Sequence, residues 1–228
     1  MTVPDDVEQA KRHAGESAAN DVSAGAVVGL GTGSTAAHAI RAIGDAVDRG
    51  LDVCGVPTSY QSRQLARDCG VPLVDLDAVQ RIDLAIDGAD QVAGGDAIKG
   101  GGAAHAREKV VAAAADRLLL VVDASKRAPT LDRPVPVEVL PDARLTVAAG
   151  VREAGGDPEL RAADRKDGPV VTDNGNLVLD CSFGEIEEPG AVARALSTTP
   201  GVVEHGLFVG MADELHVGHD DGAQVEPL

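Results

Sequence analysis

The chain has 228 residues, 44% of them apolar, and its 20 basic side chains against 37 acidic ones leave a formal net charge of −17. That sign excludes the two surfaces that need a positive field, a nucleic-acid groove and a peripheral face for anionic lipid, so any anionic ligand has to be held by a local site. Length and apolar content suffice for a sizeable core in one large domain or two smaller ones, built from small aliphatic side chains because there are two Phe, one Tyr and no Trp.

The acidity is carried by 25 Asp over 12 Glu, offset by 5 Lys. This composition is similar to that of proteins from salt-accumulating microbes, where dissolved salt screens self-repulsion. No apolar run approaches the roughly 20 residues that span a bilayer, and the opening stretch MTVPDDVEQAKR lacks the basic and apolar regions of a signal peptide, so a soluble cytoplasmic protein is expected. Cys54, Cys69 and Cys181 are odd in number and widely spaced, which fits small buried hydrophobes better than a disulfide framework or a zinc site.

In chain order, Val7, Ala10, Ala14 and Ala18 recur at helical spacing, and a turn at 23–25 leads to a buried strand at 26–30. A helix striped by Ala36, Ile40, Ile43 and Val47 follows, then a strand at 52–56, a helix at 59–69, a short strand at 72–74 and a strand at 82–86. An Ala-rich helix at 102–115 and the continuous apolar run at 118–122 complete a pattern of short strands alternating with helices. Such alternation predicts a Rossmann-like, doubly wound parallel sheet. Past the prolines at 129–136 the reading is strand 135–140, helix 142–154, strand 159–163, a hairpin about Asn174-Gly175, helix 190–196 and strand 201–204. That βαββαβ order is the ferredoxin-like α+β pattern. The segment 207–217 adds a strand to one domain or the other. The predicted domains are therefore a catalytic α/β domain at 1–131 and 207–228, and a smaller one at 132–206.

Four segments carry chemistry. Gly29-Leu30-Gly31-Thr32-Gly33-Ser34-Thr35 follows a strand and opens a helix, where backbone N–H groups, the hydroxyls of Thr32, Ser34 and Thr35 and the helix dipole can cradle a phosphate. Serine at position 34 breaks the dinucleotide fingerprint, and a Walker loop would need Gly-Lys. Asp87-Gly88-Ala89-Asp90 stands at the carboxyl end of a strand, where open α/β sheets bind ligands; a capped turn is the plainer reading. Lys99-Gly100-Gly101-Gly102 leads into the helix bearing Arg107, Glu108 and Lys109, and side chains tilted toward the helix start let Glu108 lean back toward the loop as a general base. A solvated helix charge is the alternative for Glu108. Asp123-Ala124-Ser125-Lys126 follows the strand at 118–122, so two of five lysines, Lys99 and Lys126, sit beside strand ends or glycine loops. The six His show no metal-ligand spacing.

Taken together and in order, GLGTGSTAAHAI (29–40), DLAIDGADQV (83–92), IKGGGAAHAREKVV (98–111), VVDASK (121–126), PVEVLPDAR (136–144), VVTDNGNLVLD (170–180) and PGVVEHGLF (200–208) resemble the ribose-5-phosphate isomerase type A family. The resemblance implies interconversion of D-ribose 5-phosphate and D-ribulose 5-phosphate through an enediolate, in the non-oxidative branch of the pentose phosphate pathway, with no metal and no organic cofactor. It implies Glu108 as the base that moves a proton between C2 and C1. It implies Asp87 and Asp90 as binders of sugar hydroxyls that assist proton movement and ring opening, and Lys99 with the N–H groups of Gly100, Gly101 and Gly102 as stabilisers of the oxyanion. Thr32, Gly33, Ser34 and Thr35, with Gly88 and Ala89, would line the substrate site, and Lys126 and Lys11 would contact the substrate. The implied partner is a small sugar phosphate, with no nucleic acid or membrane, and the implied assembly is a homodimer or homotetramer.

Two departures stand out. Gln91 occupies a position where the family has Glu, and Val56-Pro57-Thr58-Ser59-Tyr60 replaces a Ser/Thr-rich stretch, leaving Thr58 and Ser59 as site-lining hydroxyls. Rival readings are another sugar-phosphate enzyme, such as an amino-sugar phosphate deaminase or a phosphogluconolactonase, and a sugar-phosphate-sensing regulator. The first should lack the joint DGAD and KGGG…REK pattern, and the second should carry a DNA-binding motif.

Overall fold

A computed structural model describes residues 5–228; the first four residues, part of the stretch read above as lacking a signal peptide, lie outside it. The elements run α1 (Asp5–Ala19), β1 (Ala26–Leu30), α2 (Ser34–Asp48), β2 (Val53–Pro57), α3 (Tyr60–Asp68), β3 (Leu84–Gly88), β4 (Gln91–Ala93) and β5 (Asp96–Ile98). They continue with α4 (His105–Ala114), β6 (Leu118–Asp123), β7 (Val135–Val139), α5 (Arg144–Glu153), β8 (Asp157–Leu160) and β9 (Leu177–Ser182). The chain ends with α6 (Pro189–Ser197), β10 (Val202–His205), β11 (Leu207–Val209), β12 (Glu214–His219) and β13 (Gly222–Pro227). No helix among the described residues is long and apolar enough to cross a membrane.

The first compact unit comprises, among the described residues, 5–89, Arg107–Arg127 and Met211–Leu228. Its six-stranded sheet has the order β13-β12-β6-β3-β1-β2, parallel throughout except for β13, which runs antiparallel along the edge. Every residue of β6 is buried, the burial expected of a strand covered on both faces. The core is made of small aliphatics, Ala14, Ala18, Val28, Leu30, Ile40, Ile43, Ile86, Leu119 and Val121 among them. Register pairs Val28 with Leu84 and Leu30 with Pro57, so the carboxyl ends of β3, β1 and β2 lie side by side. Ligands in open α/β sheets bind there. The predicted strand at 72–74 shrinks to one bridge between Leu73 and Gly55.

The second unit comprises Asp90–Ala106 and Ala128–Gly210. Its four-stranded sheet, order β10-β7-β9-β8, is antiparallel at every pairing, which with α5 and α6 is the ferredoxin-like arrangement. Val135, Val137, Val139, Val147, Val151, Leu179 and Cys181 form its core. The predicted hairpin about Asn174-Gly175 keeps its turn, but its first arm is one bridge, Val171 to Leu177. The turn is instead gathered around buried Glu138, whose Oε1 accepts from Thr172 Oγ1 (2.9 Å), Asn174 Nδ2 (3.0 Å) and Asn176 Nδ2 (2.7 Å).

The boundaries differ from the predicted ones at 90–106, and by four residues each at 128–131 and 207–210, all of which group with the second unit. Residues 90–106 group with the second unit, because β4 and β5 form a hairpin that pairs antiparallel with β11. Gln91 adds a polar tie within that unit. Its Oε1 accepts the N–H groups of Asp132 (2.8 Å) and Arg133 (3.1 Å), and its Nε2 donates to Asp132 Oδ1 at 2.5 Å.

Candidate active site

In the first unit, β3 carries Asp87 to the sheet's carboxyl edge, where its side chain is only 4% exposed. A buried carboxylate needs donors, and Asp87 Oδ1 accepts the N–H groups of Thr32 (3.1 Å) and Gly88 (2.8 Å). Glycine at 31 is required for this approach, since a Cβ there would collide with the Asp87 carboxylate. The Thr32 hydroxyl donates to Ser59 Oγ at 2.7 Å and lies 2.8 Å from Thr58 Oγ1. Ser59 in turn caps α3 through a reciprocal box with Ser62. Thr58 and Ser59, read from the sequence as site-lining hydroxyls, are buried and brace Thr32; Tyr60 stands 63% exposed.

Glu108 lies in the first turn of α4, 4% exposed, and lines one narrow gap together with Asp87, Gly31 and Thr58. The solvated-charge alternative is thereby excluded. Two carboxylates sharing a confined, largely apolar lining have the character of acid–base chemistry.

The predicted phosphate cradle is the start of α2. Gly33, with φ 107, precedes the helix, contributes no side-chain cap and is followed by no acidic residue in the first turn, so the positive end of the helix dipole is not neutralised from within. The Gly33 N–H is taken by Gln61 Oε1 (3.1 Å), a partner that the sequence did not signal. Ser34 is exposed and Thr35 buried. Lys126 ends the turn Ala124–Lys126 after β6, while Lys11 lies on α1; both are half-buried, and neither is ion-paired among the described residues. Gly88 and Ala89 are half-buried beside Asp87.

The second unit holds Asp90 and the glycine loop. Asp90 Oδ2 accepts the Gly101 N–H at 2.7 Å, and a Cβ at Gly101 would stand 2.6 Å from Asp90 Oδ1. Gly100 adopts φ +104, and Ala103 is a non-glycine residue at φ 58, so the loop holds a conformation that most sequences would avoid. Gly102 is exposed. Lys99 is 2% exposed; its N–H donates to Gly206 O (2.8 Å) and its Nζ lies 5.3 Å from the Phe208 ring centroid. An aromatic face is a favourable seat for a buried cation.

One cluster among the described residues, Asp21, Glu214 and His216, brings metal-type ligand atoms within 4.8 Å of one another. Arg117 pairs with both carboxylates, and burial pushes the His216 imidazole below its ordinary value, so an arginine-centred ion pair accounts for the convergence.

Residues 54–222 match the family model described as ribose 5-phosphate isomerase A (phosphoriboisomerase A). The chain is similar to ribose-5-phosphate isomerase A of Haloarcula marismortui, with 70% identity over 221 residues, 97% of this chain and 96% of that protein. Among solved structures it is similar to ribose 5-phosphate isomerase A of Methanocaldococcus jannaschii, with a TM-score of 0.92 at 40% identity, covering 97% of this chain and 99% of that one. It is also similar to a D-ribose-5-phosphate isomerase solved in complex with phospho-erythronic acid, with a TM-score of 0.94, 40% identity and the same coverage.

Proposed function

The chain belongs to the ribose 5-phosphate isomerase A family, and on that premise we propose that it interconverts D-ribose 5-phosphate and D-ribulose 5-phosphate by proton transfer through an enediolate. The observation that carries the reading is the confined pair Asp87 and Glu108, at the carboxyl end of a parallel sheet that also presents an uncapped helix start.

Aldose–ketose isomerisation needs a base at a carbon-bound proton, donors for the oxygen that gains charge, and an anchor for the phosphate. Glu108 takes the proton from C2 and returns it at C1. Asp87, held by two backbone donors, binds sugar hydroxyls and assists the movement of hydroxyl protons, and Asp90 does the same from its seat on Gly101. Lys99 and the N–H groups of Gly100 and Gly102 stabilise the enediolate oxygen, while the Gly101 N–H holds Asp90. Thr32, Gly33, Ser34 and Thr35 receive the substrate with the helix dipole behind them, and Lys126 and Lys11 supply positive charge that a chain of net charge −17 otherwise lacks. Gly88 and Ala89 complete the lining.

The protein acts on a free sugar phosphate in the cytoplasm, without nucleic acid or membrane, as a homodimer or homotetramer. Self-association is supported by apolar side chains left at the surface of the second unit, Leu145 (69% exposed) and Leu140 (51%). Light scattering in molar KCl checks it, a monomer being the contrary result. The activity is tested by following conversion of D-ribose 5-phosphate to D-ribulose 5-phosphate in molar KCl with a chelator present; absence of turnover by folded protein would refute it.

A further inference from the structure

The glycine loop poses a physical problem. Three consecutive glycines have many backbone states of similar energy, so Gly100-Gly101-Gly102 cannot hold its own N–H groups in one direction. Within the second unit, the clamp is Arg161, which adjoins β8. Its Nη1 donates to the carbonyls of Gly100 (2.9 Å) and Gly101 (3.2 Å), while Nε donates to Asp180 Oδ2 (2.8 Å) and Nη2 to Asp180 Oδ1. The guanidinium thus uses a carboxylate on one side to fix itself and two successive carbonyls on the other to fix the loop.

Each trans peptide plane carries its N–H opposite its C=O. The plane whose carbonyl faces Arg161 through Gly100 therefore turns the Gly101 N–H the other way, and there it donates to Asp90 Oδ2 at 2.7 Å. The next plane, held through the Gly101 carbonyl, turns the Gly102 N–H away from the arginine as well. We propose that Arg161, clamped by Asp180, is a positioning residue for the isomerisation: by holding the Gly100 and Gly101 carbonyls it sets the direction of the Gly101 and Gly102 N–H groups and, through Gly101, the carboxylate of Asp90. The inference rests on the functional reading above and adds to it a residue that does not touch substrate.

Removing the clamp should cost transition-state stabilisation more than substrate binding. For Arg161→Ala, kcat for D-ribose 5-phosphate should fall by about thirtyfold or more with KM changed less than about threefold, a fraction of the effect of deleting an oxyanion donor outright. Inhibition by phospho-erythronic acid, whose carboxylate resembles the enediolate, should weaken by about tenfold. Arg161→Lys keeps the charge but has no planar fork to join Asp180 to two carbonyls, so it should not restore kcat. Thr172→Ala serves as control: it loosens the same unit by cutting the 2.9 Å bond to Glu138 and leaves the loop contacts in place. Full activity in Arg161→Ala or Arg161→Lys, or an equal loss of kcat in Thr172→Ala, would overturn the proposal. If the wild type shows no turnover, the functional reading fails by itself. The clamp is then judged by exchange of the Gly101 amide, which Arg161→Ala should accelerate by about tenfold or more, and unchanged exchange would overturn it.

Discussion

Gln91→Glu provides a quantitative test of the second unit's wiring. The native amide is 6% exposed, accepts two N–H groups from Asp132 and Arg133, and donates to Asp132 Oδ1 at 2.5 Å. A carboxylate can keep the two accepted bonds but cannot donate, so a hydrogen bond to a charged partner, about 1.5 to 3 kcal/mol, is replaced by repulsion. With both groups ionised at ~3 Å and an effective dielectric of ~20, that repulsion is roughly 5 kcal/mol, although Asp132 can relieve part of it by turning into solvent. The variant has a second escape. A protonated carboxyl has the same donor and acceptor pattern as the amide, and at about pH 7 its proton costs about 3.7 kcal/mol, the distance above a free pKa of about 4.3 multiplied by about 1.36 kcal/mol per unit. This sets a ceiling that falls to about 1 kcal/mol at about pH 5. The folded variant binds more protons than its unfolded chain, so its stability relative to wild type declines as pH rises. Denaturant unfolding in molar KCl should show a loss of about 2 to 4 kcal/mol near pH 7 and at most about 1 kcal/mol near pH 5. Equal losses at both pH values, or no loss near neutrality, would show that the Gln91 amide does not bridge to Asp132 in the folded protein.

Further outcomes follow from individual contacts. Gly101→Ala places a Cβ 2.6 Å from Asp90 Oδ1, so kcat should fall at least tenfold (about 1.4 kcal/mol) while far-UV dichroism is unchanged; an unaltered kcat would disconnect Asp90 from catalysis. Burial pushes the Cys181 thiol up to about 12 while Cys54 is exposed. Iodoacetamide at mildly alkaline pH, read by mass spectrometry, should therefore label Cys54 and spare Cys181 until denaturant is added, and early labelling of Cys181 would contradict the packed core of the second unit. With net charge −17, dilution from molar KCl into low-salt buffer should lower the unfolding midpoint, and a midpoint independent of salt would remove the salt-adapted reading of the surface.

The sequence was most legible where one face of an element decides its fate. The apolar runs of β1, β3 and β6 and the stripe of α2 give away a buried parallel sheet, and with it the edge at which Asp87 sits. β13 escaped because an exposed antiparallel edge strand needs no apolar run; its sequence, GAQVEP, is mostly surface. The hairpin of β4 and β5 is too short for periodicity to register, and residues 90–106 group with the second unit where the sequence pattern places them in the catalytic domain. Side-chain hydrogen bonds across long sequence separations were not legible at all. The bond from Gln91 to the backbone at 132 and 133, the Thr32 to Thr58 and Ser59 network, and the grip of Arg161 on the glycine loop all depend on tertiary proximity between residues of ordinary type. The motifs identify the chemistry, and these braces hold its parts in place.

The proposed isomerisation rests on Glu108 as the carrier of the proton between C2 and C1. That role is read by running D-ribose 5-phosphate isomerisation in deuterated water, with wild type and Glu108→Gln, and following deuterium at the exchanging carbon by NMR. Wild type should incorporate solvent deuterium as it turns over. Glu108→Gln should lose turnover and exchange together, by a factor of about a thousand or more, while still binding phospho-erythronic acid. Exchange by the variant within about tenfold of wild type would take the proton transfer away from Glu108.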